Sequence, residues 1–137
     1  MRIYVASSWR NQQQPLVVAR LREEKHLVYD FRDPNAGFHW SQIDPNWQDW
    51  TPGRFRANLE HPLAMEGFAA DFHAMHQSDT FVLVMPCGRS AHLELGWAAG
   101  AGKRTIILLS DGEPELMYKM ADRICVSLDE VVECLKR

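Results

Sequence analysis

The sequence has no long hydrophobic run, no excess of positive charge and few cysteines. No apolar stretch approaches the ~20 residues that a membrane-spanning helix needs, so no membrane association is expected. The chain has 15 Lys and Arg against 18 Asp and Glu, and this balance does not favour binding to a nucleic-acid polymer. The three cysteines are odd in number and lack C-x-x-C spacing, and the strand-like residues after Met1 do not resemble a signal peptide. We therefore expect a reduced, cytoplasmic protein.

The sequence does contain enough apolar material for one core. Hydrophobic residues make up 46% and charged residues 24% of the 137 residues, which is typical of a globular protein. The length fits one domain of ordinary size. Because no linker, internal repeat or low-complexity segment interrupts the chain, residues 1–137 are predicted to form a single domain.

Short apolar runs alternate with amphipathic stretches along the chain. The predicted strands, which are short and apolar, are residues 2–6, 26–31, 80–86, 104–110 and 124–127. The predicted helices are residues 15–24, 58–78, 91–102, 113–121 and 128–136. This alternation predicts an α/β fold with a doubly wound, five-stranded parallel sheet, a flavodoxin- or Rossmann-like three-layer α/β/α arrangement.

An aromatic-rich insert at about residues 32–56 interrupts the alternation. It contains Trp40, Trp47 and Trp50 together with several prolines, so little regular structure beyond short turns is predicted. A long aromatic loop in a compact domain is typical of a lid or a binding loop. A packed Ω-loop that covers one edge of the sheet fits the same composition. Both interpretations stay open at the level of the sequence.

Polar residues follow the predicted strands at the places where parallel sheets bind ligands. The carboxyl ends of the strands share one edge, and ligands bind there near the point where the strand order reverses. Ser7, Ser8 and Arg10 follow the first strand, and the segment 86–90 follows the third. Glu94 lies near the start of the next helix, where the helix dipole favours an ionised carboxylate. Such a group can act as a nucleophile or a base, although capping of the helix would place a glutamate there too.

The segment Glu94-Leu95-Gly96, which follows a Gly-containing loop and leads into a helix of small residues, resembles the nucleoside 2-deoxyribosyltransferase family. This family includes a branch of 2'-deoxynucleoside 5'-monophosphate N-glycosidases. The opening segment, residues 6–10, is similar to the first loop of the family, and Asp71 and Asp79 stand where the family has acidic residues. The resemblance extends from Met1 to about Leu109 and is weakest in the insert.

The resemblance implies an enzyme that cleaves or transfers the N-glycosidic bond of a nucleoside or nucleotide. Glu94 would attack the anomeric carbon and form a covalent glycosyl-enzyme, which water or a second base resolves. Asp71 would orient the sugar or help to protonate the leaving base, although a charge on a helix surface is the other interpretation of this residue. If the insert is a binding loop, Trp40, Trp47 or Trp50 would stack on the base. Family members commonly associate, so a homodimer or a larger homo-oligomer is expected.

The sequence does not call for a cofactor or a metal ion. His73 and His76 lie one helical turn apart, but no cysteine or acidic residue completes a zinc-binding pattern. Cys87 follows Pro86 at the end of a strand, and no motif identifies it as a nucleophile. We therefore expect chemistry that uses only side chains of the protein.

The loop before Glu94 departs from the family pattern. Many transferases carry an aspartate six positions before the nucleophile, where this chain has Gly88. An arginine, serines and a helix N-terminus suit a phosphate group instead, so the departure favours a nucleoside 5'-monophosphate as the substrate. The candidate substrate-binding residues of the two loops are Ser7, Ser8, Arg10, Gly88, Arg89 and Ser90. A solvated surface position is the alternative interpretation of the two arginines.

Two other functions fit the same pattern. A NAD-cleaving domain of the Toll/interleukin-receptor-like type also has a doubly wound sheet, and its loop serine and helical glutamate are spaced similarly to Ser90 and Glu94. A non-catalytic nucleotide-binding or sensor module would keep the fold and lose turnover, and the missing carboxylate at Gly88 is compatible with that. Release of a nucleobase, release of nicotinamide, or binding without release would distinguish the three functions.

Overall fold

The structure of the chain, a computed structural model, describes residues 1–33 and 37–137; residues 34–36 of the expected insert lie outside this described part. The strands are β1 (Arg2–Ala6), β2 (Leu27–Asp30), β3 (Thr80–Val84), β4 (Arg104–Leu108) and β5 (Arg123–Cys125). The α-helices are α1 (Gln14–Glu23), α2 (Pro52–Asn58), α3 (Pro62–Gln77), α4 (Arg89–Gly100) and α5 (Leu128–Leu135), and 3₁₀ helices lie at Trp40–Gln42, Trp47–Asp49 and Leu116–Met120. None of the described helices has the length and apolar character that crossing a membrane requires.

The described residues form two compact units. The first unit combines Met1–Asp30 with Met75–Arg137 and contains the whole sheet. The second unit is Phe31–Ala74, which holds the aromatic insert, α2 and most of α3. Each unit is described by itself below.

The sheet of the first unit has the strand order β2-β1-β3-β4-β5, and all of its strands are parallel. The central strand β3 is buried along its whole length, as its continuous apolar sequence predicts. The chain passes from β1 to β2 on one side and then returns to β3 on the other side of β1, so the strand order reverses there. The loops after β1 and β3 therefore flank the position where such sheets bind ligands. The predicted five-stranded parallel sheet is confirmed.

Helices cover both faces of the sheet. On one face, Val17 of α1 and Val131 of α5 join an apolar cluster with Ile3 and Val5 of β1. Helix α4 packs against β1, β3 and β4. Because successive strand residues point to opposite faces, Tyr4 faces away from that cluster and toward α4. The predicted layer of helices on each face is thereby confirmed.

The predicted helix 58–78 corresponds to the shorter helix α3 (Pro62–Gln77), and a separate helix, α2, precedes it. Helix α2 begins at Pro52, inside the segment expected to lack regular structure, and α3 begins at Pro62. The hydroxyl of Thr51 accepts a hydrogen bond from the backbone N–H of Arg54 at 3.2 Å, which caps α2. Pro52 suits the first helical turn because its fixed φ angle matches the helix. The irregular segment therefore ends before Pro52 rather than at residue 56.

The other helices and strands begin and end within two residues of the predicted bounds, except that the predicted helix 113–121 is a shorter 3₁₀ helix.

The start of α4 changes the surroundings of the candidate site. Helix α4 starts at Arg89 rather than at Ala91, because Gly88 takes the N-cap position. Arg89 and Ser90 consequently lie in the first helical turn and Glu94 lies in the second.

The insert of the second unit contains a small aromatic cluster. The ring of Trp40 contacts the rings of Phe38, Trp50 and Phe55, with centroid distances of 5.0, 5.7 and 5.5 Å. The indole N–H of Trp50 donates to the carboxylate of Asp44 at 2.8 Å, and this hydrogen bond is the main cause that lowers the pKa of that carboxyl. These contacts favour the packed Ω-loop interpretation for Trp40 and Trp50.

Gly67 of α3 allows the helix to approach Phe38. A Cβ atom at Gly67 would lie 2.8 Å from Cβ and 3.0 Å from Cγ of Phe38. An alanine in a helix interior normally gains ~1 kcal/mol over glycine. Here we expect Gly67→Ala to lower the free energy of unfolding by about 1 to 2 kcal/mol, because overpacking outweighs that gain. Chemical denaturation measures the change.

Gly96→Ala in α4 is the matched control. A Cβ atom at Gly96 would meet nothing within 4 Å, so this variant should raise the free energy of unfolding by ~0.5 to 1 kcal/mol. Equal stabilisation by both substitutions would contradict the close packing of Phe38 on α3.

Candidate active site

The carboxylate of Glu94 accepts a hydrogen bond from the hydroxyl of Tyr4. Tyr4 is 1% exposed on β1, whereas Glu94 is half-buried on α4. A hydrogen bond to a charged acceptor contributes ~1.5–3 kcal/mol, about twice a neutral one. The contact therefore fixes the orientation of the carboxylate where α4 crosses β1.

A row of aromatic rings holds Tyr4 in place. Tyr29, Tyr4 and Phe81 occupy aligned positions on the neighbouring strands β2, β1 and β3. The ring of Tyr4 is stacked on both neighbours with centroid distances of 5.1 Å. Stacked aromatic pairs contribute ~0.5–1.5 kcal/mol beyond the area that they bury. Because its ring is confined on both sides, Tyr4 presents its hydroxyl to Glu94 in one orientation.

Hydrogen bonds join the loops that follow β1 and β3. The hydroxyl of Ser7 donates to the carbonyl oxygen of Val84 at 2.9 Å. The buried amide of Asn11 donates to the carbonyl oxygens of Val84 and Pro86 at 3.2 and 3.0 Å. The Asn11 side-chain oxygen also accepts from the backbone N–H groups of residues 13 and 14 at the start of α1. The two loops at the switch point are thus held together.

The N-terminus of α4 has no side-chain cap. Gly88 occupies the N-cap position, and no acidic residue lies in the first turn. A Cβ atom at Gly88 would meet nothing within 4 Å, and its φ of −93° is accessible to any residue. The backbone therefore does not require glycine there. The glycine leaves open space beside its own Cα at the start of α4, and the N-terminus of a helix favours an anion.

The two candidate arginines are exposed and lie on the joined loops. Neither Arg10 nor Arg89 forms an ion pair with a carboxylate of residues 1–33 and 37–137. Ser90 is exposed beside Arg89, and the hydroxyl of Ser8 accepts from the backbone N–H of Arg10 at 3.2 Å. Ser7, by contrast, directs its hydroxyl proton at Val84. The arginines and Ser90 are consequently better placed than Ser7 to donate to a ligand.

Cys87 has the environment of a neutral thiol. Its sulfur lies 3.6 Å from Sδ of Met85 and 3.8 Å from Nδ1 of His92. Burial, and to a smaller extent the negative charge of Glu94, raises the pKa of Cys87 to about 12. Because the thiolate is the nucleophilic form, Cys87 is not a nucleophile at neutral pH.

His92 anchors the loop that precedes α4. Its Nδ1 lies 2.7 Å from the carbonyl oxygen of Gly88, and its Nε2 lies 2.7 Å from the hydroxyl of Tyr118. A carbonyl only accepts, so Nδ1 is protonated and donates to Gly88. Among the described residues, no three His, Cys, Asp or Glu side chains come together in a way that could hold a metal ion.

The remaining predicted residues have different placements. Asp71 is half-buried on α3 and belongs to the second unit, as do Trp40, Trp47 and Trp50. Asp79 lies at the amino end of β3, where its carboxylate accepts from the Arg2 backbone N–H at 3.0 Å. Asp79 therefore links β1 and β3 at the amino ends of the strands, opposite the joined loops. The functional roles of Asp71 and the tryptophans stay predictions.

Two cavities in the first unit lie away from the contact between Tyr4 and Glu94. One, of about 500 Å³, is at the amino ends of β4 and β5. The other, of about 200 Å³, is apolar and lies between α4 and the 3₁₀ helix Leu116–Met120. Neither of them is lined by Tyr4 or Glu94. The candidate site is therefore identified by its side-chain contacts.

Sequence reasoning missed Tyr4 and Asn11. Tyr4 interrupts an otherwise aliphatic buried strand, and a buried hydroxyl needs a hydrogen-bond partner. Asn11 precedes α1 in a polar segment, where an asparagine commonly bonds to nearby backbone groups. These signals identify residues that need partners, but the partners lie 90 and 73 positions away in the chain.

Comparison with solved structures places the chain among proteins of one fold. It is similar to a 2-deoxyribosyltransferase of Bacillus psychrosaccharolyticus, with a TM-score of 0.67, 18% identity and coverage of 96% of this chain and 90% of that chain. It is similar to the CMP N-glycosidase BcmB of Clostridium botulinum, with a TM-score of 0.52, 17% identity and coverage of 100% of both chains. A conserved protein of Enterococcus faecalis V583 has a TM-score of 0.65, 16% identity and coverage of 99% and 97%.

No protein-family model matches the sequence, and no curated protein matches it. The structural neighbours confirm, at the level of the fold, the resemblance to 2-deoxyribosyltransferases and N-glycosidases that the sequence indicates. The fold alone does not specify the chemistry, which depends on the residues of the site.

Proposed function

We propose that the protein is an enzyme that cleaves or transfers the N-glycosidic bond of a nucleoside or nucleotide, with Glu94 as the nucleophile. The observation that carries the proposal is the hydrogen bond from Tyr4 to Glu94 beside the switch point of the sheet. A nucleophilic carboxylate must be held in a fixed orientation toward the reacting carbon. The folds shared with a 2-deoxyribosyltransferase and a CMP N-glycosidase support this reaction class.

The reaction proceeds in two displacements. A carboxylate oxygen of Glu94 forms a bond to the anomeric carbon while the bond to the base nitrogen breaks, and the base leaves with the electron pair and takes up a proton. Water, or the nitrogen of a second base, then attacks the same carbon and gives up a proton to the group that protonated the first base, while the bond to Glu94 breaks and releases it as a carboxylate. Tyr4 keeps the carboxylate oriented in both steps. Asp71 is our candidate for the group that orients the sugar or protonates the leaving base.

The substrate that we propose is a nucleoside 5'-monophosphate. Three features support this choice: the uncapped N-terminus of α4, Arg89 in its first turn, and Arg10 on the adjoining loop. Each donor that reaches a phosphate oxygen makes a charge-assisted hydrogen bond. Gly88 adds no negative charge that would repel the phosphate.

A substrate panel tests the proposed function. The protein is incubated with deoxynucleosides, their 5'-monophosphates, the corresponding ribonucleotides and NAD, and the released bases are separated by chromatography. We expect release of a nucleobase, and addition of a second base separates transfer from hydrolysis. Release of nicotinamide alone would instead support NAD cleavage, and tight binding without release would support a sensor. Either result would overturn the proposal.

Tyr4→Phe tests the hydrogen bond to Glu94. The variant keeps the stacked ring and loses only the hydroxyl, so the fold should be kept, and the unfolding midpoint should fall because one charge-assisted hydrogen bond is lost. We expect kcat/KM for base release to fall about 10- to 100-fold, the equivalent of one charge-assisted hydrogen bond. Steady-state kinetics measures the loss. Unchanged kinetics would show that Tyr4 does not orient the reacting carboxylate.

We also propose that the protein acts as a homo-oligomer in the cytoplasm. Helix α3 exposes apolar side chains, with Met65 at 52% and Phe68 at 65% exposure. Exposed apolar patches often mark surfaces that bind other protein chains. Light scattering coupled to size-exclusion chromatography gives the mass in solution, and a monomer at micromolar concentration would contradict the assembly.

A further inference from the structure

Two of the cysteines face each other far along the chain from the candidate active site. The sulfur atoms of Cys125 in β5 and Cys134 in α5 lie 3.5 Å apart. Cys125 is 2% exposed and belongs to the apolar cluster beneath α5, whereas Cys134 packs against that cluster and is half-buried. Nothing in the proposed reaction uses either thiol.

We propose that Cys125 and Cys134 are an oxidation site, at which a small-molecule disulfide such as oxidised glutathione produces an intramolecular disulfide in the native protein. A disulfide has an S–S bond of ~2.05 Å, so the two sulfurs need to approach by only about 1.5 Å. The third cysteine, Cys87, lies before α4 and contacts Met85 and His92 instead. The pair is therefore selected by its position in the fold.

The backbone on both sides of the pair is held in place. The carbonyl oxygen of Cys125 accepts from the backbone N–H of Leu109 at 2.8 Å, which continues the parallel pairing of β5 with β4. The guanidinium of Arg104 donates to the carbonyl oxygen of Cys134. Fixed anchors favour bond formation because little chain entropy is lost when the sulfurs join.

The oxidation proceeds by two thiol–disulfide exchanges. The thiolate of Cys134, the more accessible of the two, attacks one sulfur of oxidised glutathione, whose S–S bond breaks and releases one glutathione thiolate. The thiolate of Cys125 then attacks the sulfur of Cys134 and displaces the second glutathione. Two protein thiols are oxidised, one glutathione disulfide is reduced to two thiols, and the two protons pass to those thiols.

The second exchange should be the slower one. Burial, with a smaller effect of the hydrogen bond to Cys134, raises the pKa of Cys125 to about 12. The fraction of thiolate at neutral pH is therefore small, and it increases about tenfold for each pH unit below that pKa. We expect a mixed disulfide with glutathione on Cys134 to accumulate first and to convert faster at pH 9 than at pH 7.

Mass spectrometry of the native protein tests the proposal. After incubation with oxidised glutathione, the remaining thiols are blocked by alkylation and the protein is digested with trypsin. Residues 124–136 form one tryptic peptide that contains both cysteines. We expect this peptide to carry no alkyl group and to have a mass about 2 Da below that of the unalkylated dithiol peptide, because two hydrogens are lost, and we expect its halves to stay joined after cleavage at Glu130 or Glu133.

Two variants act as matched controls. Cys87→Ser should form the disulfide as the wild type does, whereas Cys134→Ser should show no loss of mass in this peptide. Closing the short loop should also raise the melting temperature of the oxidised wild type by roughly 5 to 10 °C over its reduced form, an increase that Cys134→Ser should lack.

Three results would overturn the proposal. They are a persistent mixed disulfide at Cys134 without closure at pH 9, a linkage that includes Cys87, and formation of the bond only in protein unfolded by guanidinium. The last comparison separates a pair selected by the fold from two cysteines that are merely close in sequence.

Discussion

Replacement of Glu94 by glutamine is expected to reduce the rate of N-glycosidic cleavage by at least about 1,000-fold, the scale of loss when a covalent nucleophile is removed. Glutamine has the shape of glutamate and can still accept the hydrogen bond from Tyr4, so the fold should be unaffected. Its amide oxygen is a poor nucleophile toward the anomeric carbon. Release of base from the best substrate of the panel, measured in single-turnover experiments, gives the rate of the chemical step.

Glu23→Gln is the matched control for this substitution. Glu23 is exposed at the end of α1, and its replacement by glutamine removes the same charge from the same unit. The rate of base release should therefore stay within about twofold of the wild-type rate, as expected for a surface change. A glycosyl group on wild-type Glu94, found by mass spectrometry with a slow substrate, would identify the intermediate directly. If Glu94→Gln keeps more than about a tenth of the wild-type rate, a loss of under ~1.4 kcal/mol, Glu94 is not the nucleophile.

The sheet was predictable from the sequence because its central strands are unambiguous. Residues 81–84 are apolar throughout, and a short continuous apolar run that contains β-branched residues is typical of a strand covered on both faces. The start of α2 was not predicted, although Thr51 and Pro52 form an N-cap signal, because the surrounding aromatics and prolines indicated a loop. The N-cap signal of Thr51 and Pro52 therefore predicts α2 better than the overall composition of the segment, which indicated a loop.

The sequence predicted which loops and which helix form the candidate site, but it did not predict which side chains contact each other there. The rule for parallel sheets placed Glu94 and the loops after β1 and β3 on one edge without knowledge of the strand order. The partnership of Glu94 with Tyr4 required the register of β1 against β3 and the position of α4, which depend on packing across the whole unit. Sequence patterns report burial and periodicity, and they do not report which buried hydroxyl meets which carboxylate.

A 5'-monophosphate should be cleaved about 100-fold or more efficiently than the free nucleoside with the same base. Two or three charge-assisted hydrogen bonds of ~1.5–3 kcal/mol each would account for such a factor, since ~1.4 kcal/mol corresponds to tenfold. The donors that we propose are the guanidinium groups of Arg89 and Arg10, the hydroxyl of Ser90 and the backbone N–H groups that begin α4. Arg89→Ala should remove most of the preference and leave cleavage of the free nucleoside nearly unchanged. The measurement is the ratio of kcat/KM for the two substrates.

Gly88→Asp gives the sharper test, with Gly88→Asn as its matched control. A Cβ atom at this position meets no atom of the described residues within 4 Å apart from its two chain neighbours, and a φ of −93° suits any residue, so both variants should fold. Only the aspartate adds a negative charge in front of α4, where it would repel a phosphate and replace it as the anion at the helix N-terminus. We expect the aspartate variant to lose at least about tenfold in preference for the monophosphate, and the asparagine variant to lose much less. Equal losses in both variants would mean that bulk rather than charge matters at Gly88. Equal cleavage of nucleoside and monophosphate by the wild type would exclude a phosphate site at the start of α4.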